Sequence, residues 1–75
     1  MKPFSNQVLS TFREMKRDRL DLHVLFESAG NQPNERRRVL DAVDELLREG
    51  LLQSAGGDFY QLTEAGKQAI HFEGS

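Results

Sequence analysis

Val39-Leu40-Asp41-Ala42-Val43-Asp44-Glu45-Leu46-Leu47-Arg48-Glu49-Gly50-Leu51-Leu52 is the stretch on which the fold turns. Val39, Leu40, Val43, Leu46 and Leu47 recur at helical spacing, which predicts a helix with one buried stripe. Gly50 is the residue type that ends a helix in the left-handed conformation. Leu51-Leu52-Gln53-Ser54 then changes character, and Phe59-Tyr60-Gln61-Leu62 repeats the change a short distance on. Between them lies Ala55-Gly56-Gly57-Asp58, whose paired glycines accept the positive φ angles of a tight turn. The two runs predict a β-hairpin that leans on the preceding helix, because a lone two-stranded hairpin is marginal in water. Thr63 is placed to cap a last short helix, with Glu64 in its first turn and Ala65, Ala69 and Ile70 available for packing.

Working back toward the start, Asn31-Gln32-Pro33-Asn34 reads as a turn, with Pro33 and Asn34 opening the long helix and Glu35 set against its positive end. Leu22, Leu25, Phe26 and Ala29 form the face of a shorter helix, capped by Asp21 and stopped by Gly30. Arg17-Asp18-Arg19 is a polar connector. A first helix is expected from about residue 5 to 17, with Val8, Leu9, Phe12 and Met15 inward, Ser5 or Asn6 as its cap and Pro3 just outside. Residues 1–4 and 72–75 are expected to fray. The expected core is Leu22, Leu25, Phe26, Val39, Val43, Leu46, Leu47, Tyr60 and Leu62.

With 75 residues the chain is expected to be one domain, 1–75, whose apolar residues are mostly committed to a single core. Cysteine is absent, which removes disulfides, thiolate metal sites and thiol nucleophiles. No run has signal-peptide or membrane-span character, so a cytoplasmic protein without membrane contact is expected. Net charge is −2 but uneven. Residues 1–38 carry eight Lys and Arg against five Asp and Glu, and residues 39–75 carry two against seven. A basic side and an acidic side follow.

The order of elements and two motifs carry a resemblance. The stretch from Val39 to Leu52 looks like the recognition helix and first wing strand of bacterial and archaeal winged-helix transcription regulators. Tyr60-Gln61-Leu62-Thr63-Glu64-Ala65-Gly66-Lys67 looks like their second wing strand and following helix. The resemblance covers roughly residues 20–70. It implies a mainly α fold with a small β-hairpin (α+β), a winged helix-turn-helix in which Leu20 adds a one-residue strand beside the wing. The larger regulators carry extra dimerisation helices that have no counterpart here. A homodimer would have to use the first helix, through a face containing Phe4 or Phe12.

What the resemblance implies for function is DNA binding, by a transcription regulator or the DNA-binding part of an assembly, with the third helix in the major groove. Its candidate contacts are Gln32, Asn34, Arg36, Arg37 and Arg38. Arg37 and Arg38 lie off the apolar stripe, and arginine reads guanine or neutralises phosphate. Arg13, Lys16, Arg17 and Arg19 are further phosphate candidates if the first helix lies on the same side. Against these stand three plainer features. Arg36 has Glu35 and Asp41 as ready ion-pair partners. Asp41, Asp44 and Glu45 continue the exposed face with charges that DNA repels. The wing tip, Ser54-Ala55-Gly56-Gly57-Asp58, has no Lys or Arg to enter a minor groove.

The alternative is a winged-helix adaptor that binds protein without touching DNA. Phe59 alternates away from Tyr60 and Leu62 on its strand, so it is the candidate anchor, unless it merely covers the hairpin. An enzyme is not expected. His23 and His71 are far apart and have no metal-ligand spacing, and Asp44 and Glu45 point in different directions on one helix. Gly56-Gly57 lacks the Lys-Ser/Thr of a phosphate loop. No catalytic residue, metal or cofactor is expected.

Overall fold

A computed structural model describes residues 3–72. Its elements are α1 (Pro3–Met15), β1 (Arg19–Asp21), α2 (Leu22–Ser28), α3 (Pro33–Arg48), β2 (Leu52–Ser54), β3 (Phe59–Leu62) and α4 (Glu64–Ala69). The architecture is α+β: four helices and one antiparallel three-stranded sheet in the order β1-β3-β2. The strand at Leu20 is longer than expected. Arg19, Leu20 and Asp21 pair with Gln61, Tyr60 and Phe59, so β3 is covered on both edges.

Each start and stop has a local cause. Asp21 accepts a hydrogen bond from the Val24 N–H at 2.9 Å, and Thr63 accepts one from Gly66 at 3.0 Å, as N-caps should. Helix α1 departs from expectation. It begins at Pro3, where a missing N–H costs nothing, so Pro3 and Phe4 are helical rather than frayed. Ser5 lies inside the helix and caps nothing. It is buried and donates to Glu45 Oε1 at 2.6 Å. At the other end Phe72 packs against the core and its N–H reaches the Lys67 carbonyl at 2.8 Å. The remaining end positions expected to fray, 1–2 and 73–75, lie outside the described residues.

All four helices end in the same way. A residue with positive φ follows the last turn, and the next N–H reaches back five residues: Arg17 to Phe12, Asn31 to Phe26, Leu51 to Leu46 and Phe72 to Lys67. This is the Schellman closure. The left-handed residue is Gly30 (φ 106°) after α2 and Gly50 (φ 75°) after α3, but Lys16 (φ 56°) after α1 and His71 (φ 52°) after α4. The two non-glycine stops carry no sequence signal, and the one at Lys16 ends α1 at Met15 instead of the expected Arg17.

Val8, Leu9, Phe12, Leu20, Leu25, Val39, Val43, Leu46, Leu52, Leu62 and Ile70, with Ala42, form one buried core. Leu22, Phe26 and Tyr60 line it half-buried. Leu47, of the expected core, does not belong to it, nor do Met15 and Leu40, expected on the inward stripes of their helices. Met15, in the last turn of α1, is 49% exposed. Leu40 and Leu47 are 47% and 36% exposed. At ~100° per residue, Val39, Ala42, Val43 and Leu46 define the inward face of α3, and Leu40 and Leu47 fall at its edge. Phe12 is fully buried, so its ring is not available to a second copy, and Phe4 is half-buried beneath Arg38.

Candidate nucleic-acid interface

The start of α3 is shaped by what does not cap it. Gln32 is the N-cap by backbone conformation, yet its side chain makes no cap hydrogen bond, and Pro33 has no N–H to cap. The first-turn N–H groups of a 16-residue helix therefore face outward with the positive end of its dipole. Gln32 and Asn34 are exposed beside them.

The three consecutive arginines separate. Arg36 and Arg38 are about 200° apart around the helix, and each lies on an aromatic ring of a different neighbour. The Arg36 guanidinium is 5.6 Å from the Phe26 ring centre, and its Nε donates to Asn31 Oδ1 at 2.9 Å. Arg38 is 4.6 Å from the Phe4 ring centre and 3.7 Å from Glu35 Oε2. The expected pairing of Arg36 with Glu35 or Asp41 is thus replaced: Glu35 goes to Arg38, and Asn31 holds Arg36. Arg37, between them, is exposed and makes no hydrogen bond or ion pair among the described residues.

The other basic residues do not gather at this end. Arg13 donates to the Ile70 carbonyl at 3.1 Å, which commits it to the end of α4. Lys16 and Arg17 are exposed at the α1 stop. Arg19 reaches the β2–β3 hairpin, where it donates to the Ala55 carbonyl at 3.2 Å and stands 5.3 Å from the Phe59 ring centre. The hairpin therefore carries a cation that its own sequence lacks. Phe59 is 41% exposed on the outer face of the sheet, the side shared by Arg19, Gln53 and Gln61.

Farther along α3 the surface changes sign. Asp41 and Asp44 are exposed, and Asp44 pairs with Arg48 at 2.6 Å. Leu40 and Leu47 border these charges. Sequence reasoning missed both leucines as surface residues and missed the reach of Arg19. The helical angle between Val39 and Leu40 would have flagged the first. Nothing local flags the second.

No family model, no curated protein and no solved structure matches this chain. Its chemistry has to be read from its own residues. Among the described residues no cluster of three or more His, Asp or Glu is placed to hold a metal ion. No described helix is long and apolar enough to cross a membrane.

Proposed function

We propose that this chain is a winged-helix domain that binds duplex DNA through the first turn of α3, as a cytoplasmic transcription regulator or the DNA-binding part of an assembly. The observation that carries the reading is Arg37: exposed, unpartnered, and beside an uncapped helix start that favours phosphate. Arg36 and Arg38, braced on Phe26 and Phe4, set the flanks of that contact, and Gln32 and Asn34 supply amides for base edges or backbone. The β2–β3 hairpin serves as the wing, with Arg19 as its charge. Binding belongs to the α3 start, because Asp41 and Asp44 would be repelled by phosphates deeper in a groove. One copy therefore binds modestly and with strong salt dependence.

The test is a titration of the ¹⁵N-labelled chain with a generic duplex at low salt. Shifts clustered at residues 32–38, lost on Arg37→Ala, support the reading. Unmoved signals there, in a folded protein, end it.

A second reading has its own support. Leu40 and Leu47, one heptad apart beside Asp41 and Asp44, make an apolar and acidic strip suited to a protein partner. In that reading the domain is an adaptor, and Phe59 is a second anchor. Duplex titration separates the two, since an adaptor leaves residues 32–38 unmoved.

A further inference from the structure

The outer face of the sheet carries few side chains. Leu20, Leu52 and Leu62 are buried, so alternation turns Arg19, Gln53 and Gln61 to the other side. These three are register partners and make one row across β1, β3 and β2. Phe59 stands in the next row, two residues along β3 and about 7 Å from Gln61. Its register partner is Asp21, whose carboxylate is committed to the Val24 N–H as the cap of α2. The Phe59 ring is 41% exposed, with the Arg19 guanidinium 5.3 Å from its centre. Arg19 is steadied by the Ala55 carbonyl at 3.2 Å and keeps N–H groups to spare. The side chains of Gln53 and Gln61 make no hydrogen bond among the described residues.

The composition of this face selects its occupant. Phe59 is the one apolar side chain in the two rows, too little for the apolar centre of a protein interface. A flat ring with a guanidinium and free amides beside it matches an unpaired nucleotide. The ring stacks a base, an amide offers a donor and an acceptor to the base edge, and the cation meets a phosphate. The charges nearby agree. Lys16 and Arg17, on the chain leading into β1, are exposed and make no ion pair among the described residues. Asp18 is taken up by Lys67 at 3.6 Å, which leaves Asp58 as the opposing carboxylate at the hairpin. We infer that the outer sheet face binds single-stranded DNA, with a base on Phe59, its edge toward Gln61 and a flanking phosphate at Arg19. The contact is separate from the α3 start and shares only Arg19 with the proposed wing, while the choice of DNA over RNA rests on that proposed function.

The experiment titrates the ¹⁵N-labelled full chain at low salt with an oligothymidylate of about eight nucleotides. A fully abasic strand of the same length, which keeps the phosphates and removes the bases, is the control. The oligothymidylate is expected to bind at least about fivefold more tightly than the abasic strand, the lower end for one stacked base. Its shifts should gather at Arg19, Gln53, Phe59 and Gln61. The chain has no tryptophan, so Phe59→Trp places a single fluorescent ring at the site, and stacking should quench it. Phe59→Ala should erase the preference for bases, whereas Arg19→Ala should weaken both strands. If Phe59→Ala loses its folded spectrum, the two strands compared on the unsubstituted chain still decide. Equal affinity for the two strands, an unquenched Phe59→Trp, shifts confined to residues 32–38, or tighter binding of an oligouridylate RNA each overturn the inference. Duplex DNA added to a separate sample reads residues 32–38, so failure of the sheet face is told apart from failure of the α3 contact.

Discussion

Gly66, in the first turns of α4, lies against the Leu51 carbonyl so closely that a Cβ would overlap that oxygen and also crowd Leu62 Cδ2. The contact seats α4 on the corner where α3 passes into β2. Thr63 closes the same corner, donating to the Gly50 carbonyl at 2.6 Å while accepting from Gly66. A backbone oxygen cannot move aside as a side chain can. Gly66→Ala is therefore expected to destabilise by about 2 kcal/mol or more, despite alanine's better helix propensity. Urea unfolding should show a lower midpoint. A neutral or higher midpoint would mean that the corner opens without cost.

The helix stops make a matched pair of experiments. Gly50 has open space around its missing Cβ, so Gly50→Ala is charged only for its positive φ, about 1 kcal/mol. Lys16→Gly should run the other way, gaining up to about 1 kcal/mol by relieving a left-handed lysine. Thermal melts of both variants check the signs. If Lys16→Gly lowers stability, the flexibility glycine adds to the unfolded chain outweighs the relief.

Ser5 and Glu45 join α1 to α3 through a side-chain hydrogen bond at a buried hydroxyl. Ser5→Ala removes a donor from the carboxylate and is expected to cost about 1–2 kcal/mol. Denaturant unfolding measures this directly. A loss below about 0.5 kcal/mol would show that the carboxylate is equally well solvated without the serine.

If DNA is the ligand, the three arginines should not be equivalent. Arg37→Ala is expected to weaken duplex binding across sequences and to lower the salt slope by about one. Arg36→Ala and Arg38→Ala should lose less affinity but more stability, because their guanidinium groups pack on Phe26 and Phe4. Affinity measured over a salt series, alongside melting curves, separates the two patterns. Equal losses from all three would contradict the division.

Arg19→Ala should weaken the same binding while leaving the fold intact, since its partners are an exposed ring and a hairpin carbonyl. Fluorescence anisotropy with a labelled duplex is sufficient. Unchanged affinity would confine Arg19 to bracing the hairpin.

The sequence by itself determined the elements, their order and most of their ends. Asp21, Thr63, Gly30 and Gly50 act on backbone groups within a few residues of themselves, so their effects are local. The periodicity of Val39, Val43 and Leu46 was likewise enough to orient α3 toward the core. What tertiary structure decided was the fate of each polar side chain at the candidate sites. Arg36 and Arg38 are adjacent to Arg37 and chemically identical to it. They are set apart by rings from α2 and α1, one of them 34 residues away in the chain. Arg19 became a hairpin residue only because β1 pairs with β3. Leu40 and Leu47 came to the surface because the inward face of α3 is narrower than its apolar pattern. Local sequence sets backbone conformation, whereas exposure and pairing depend on which distant segment arrives alongside.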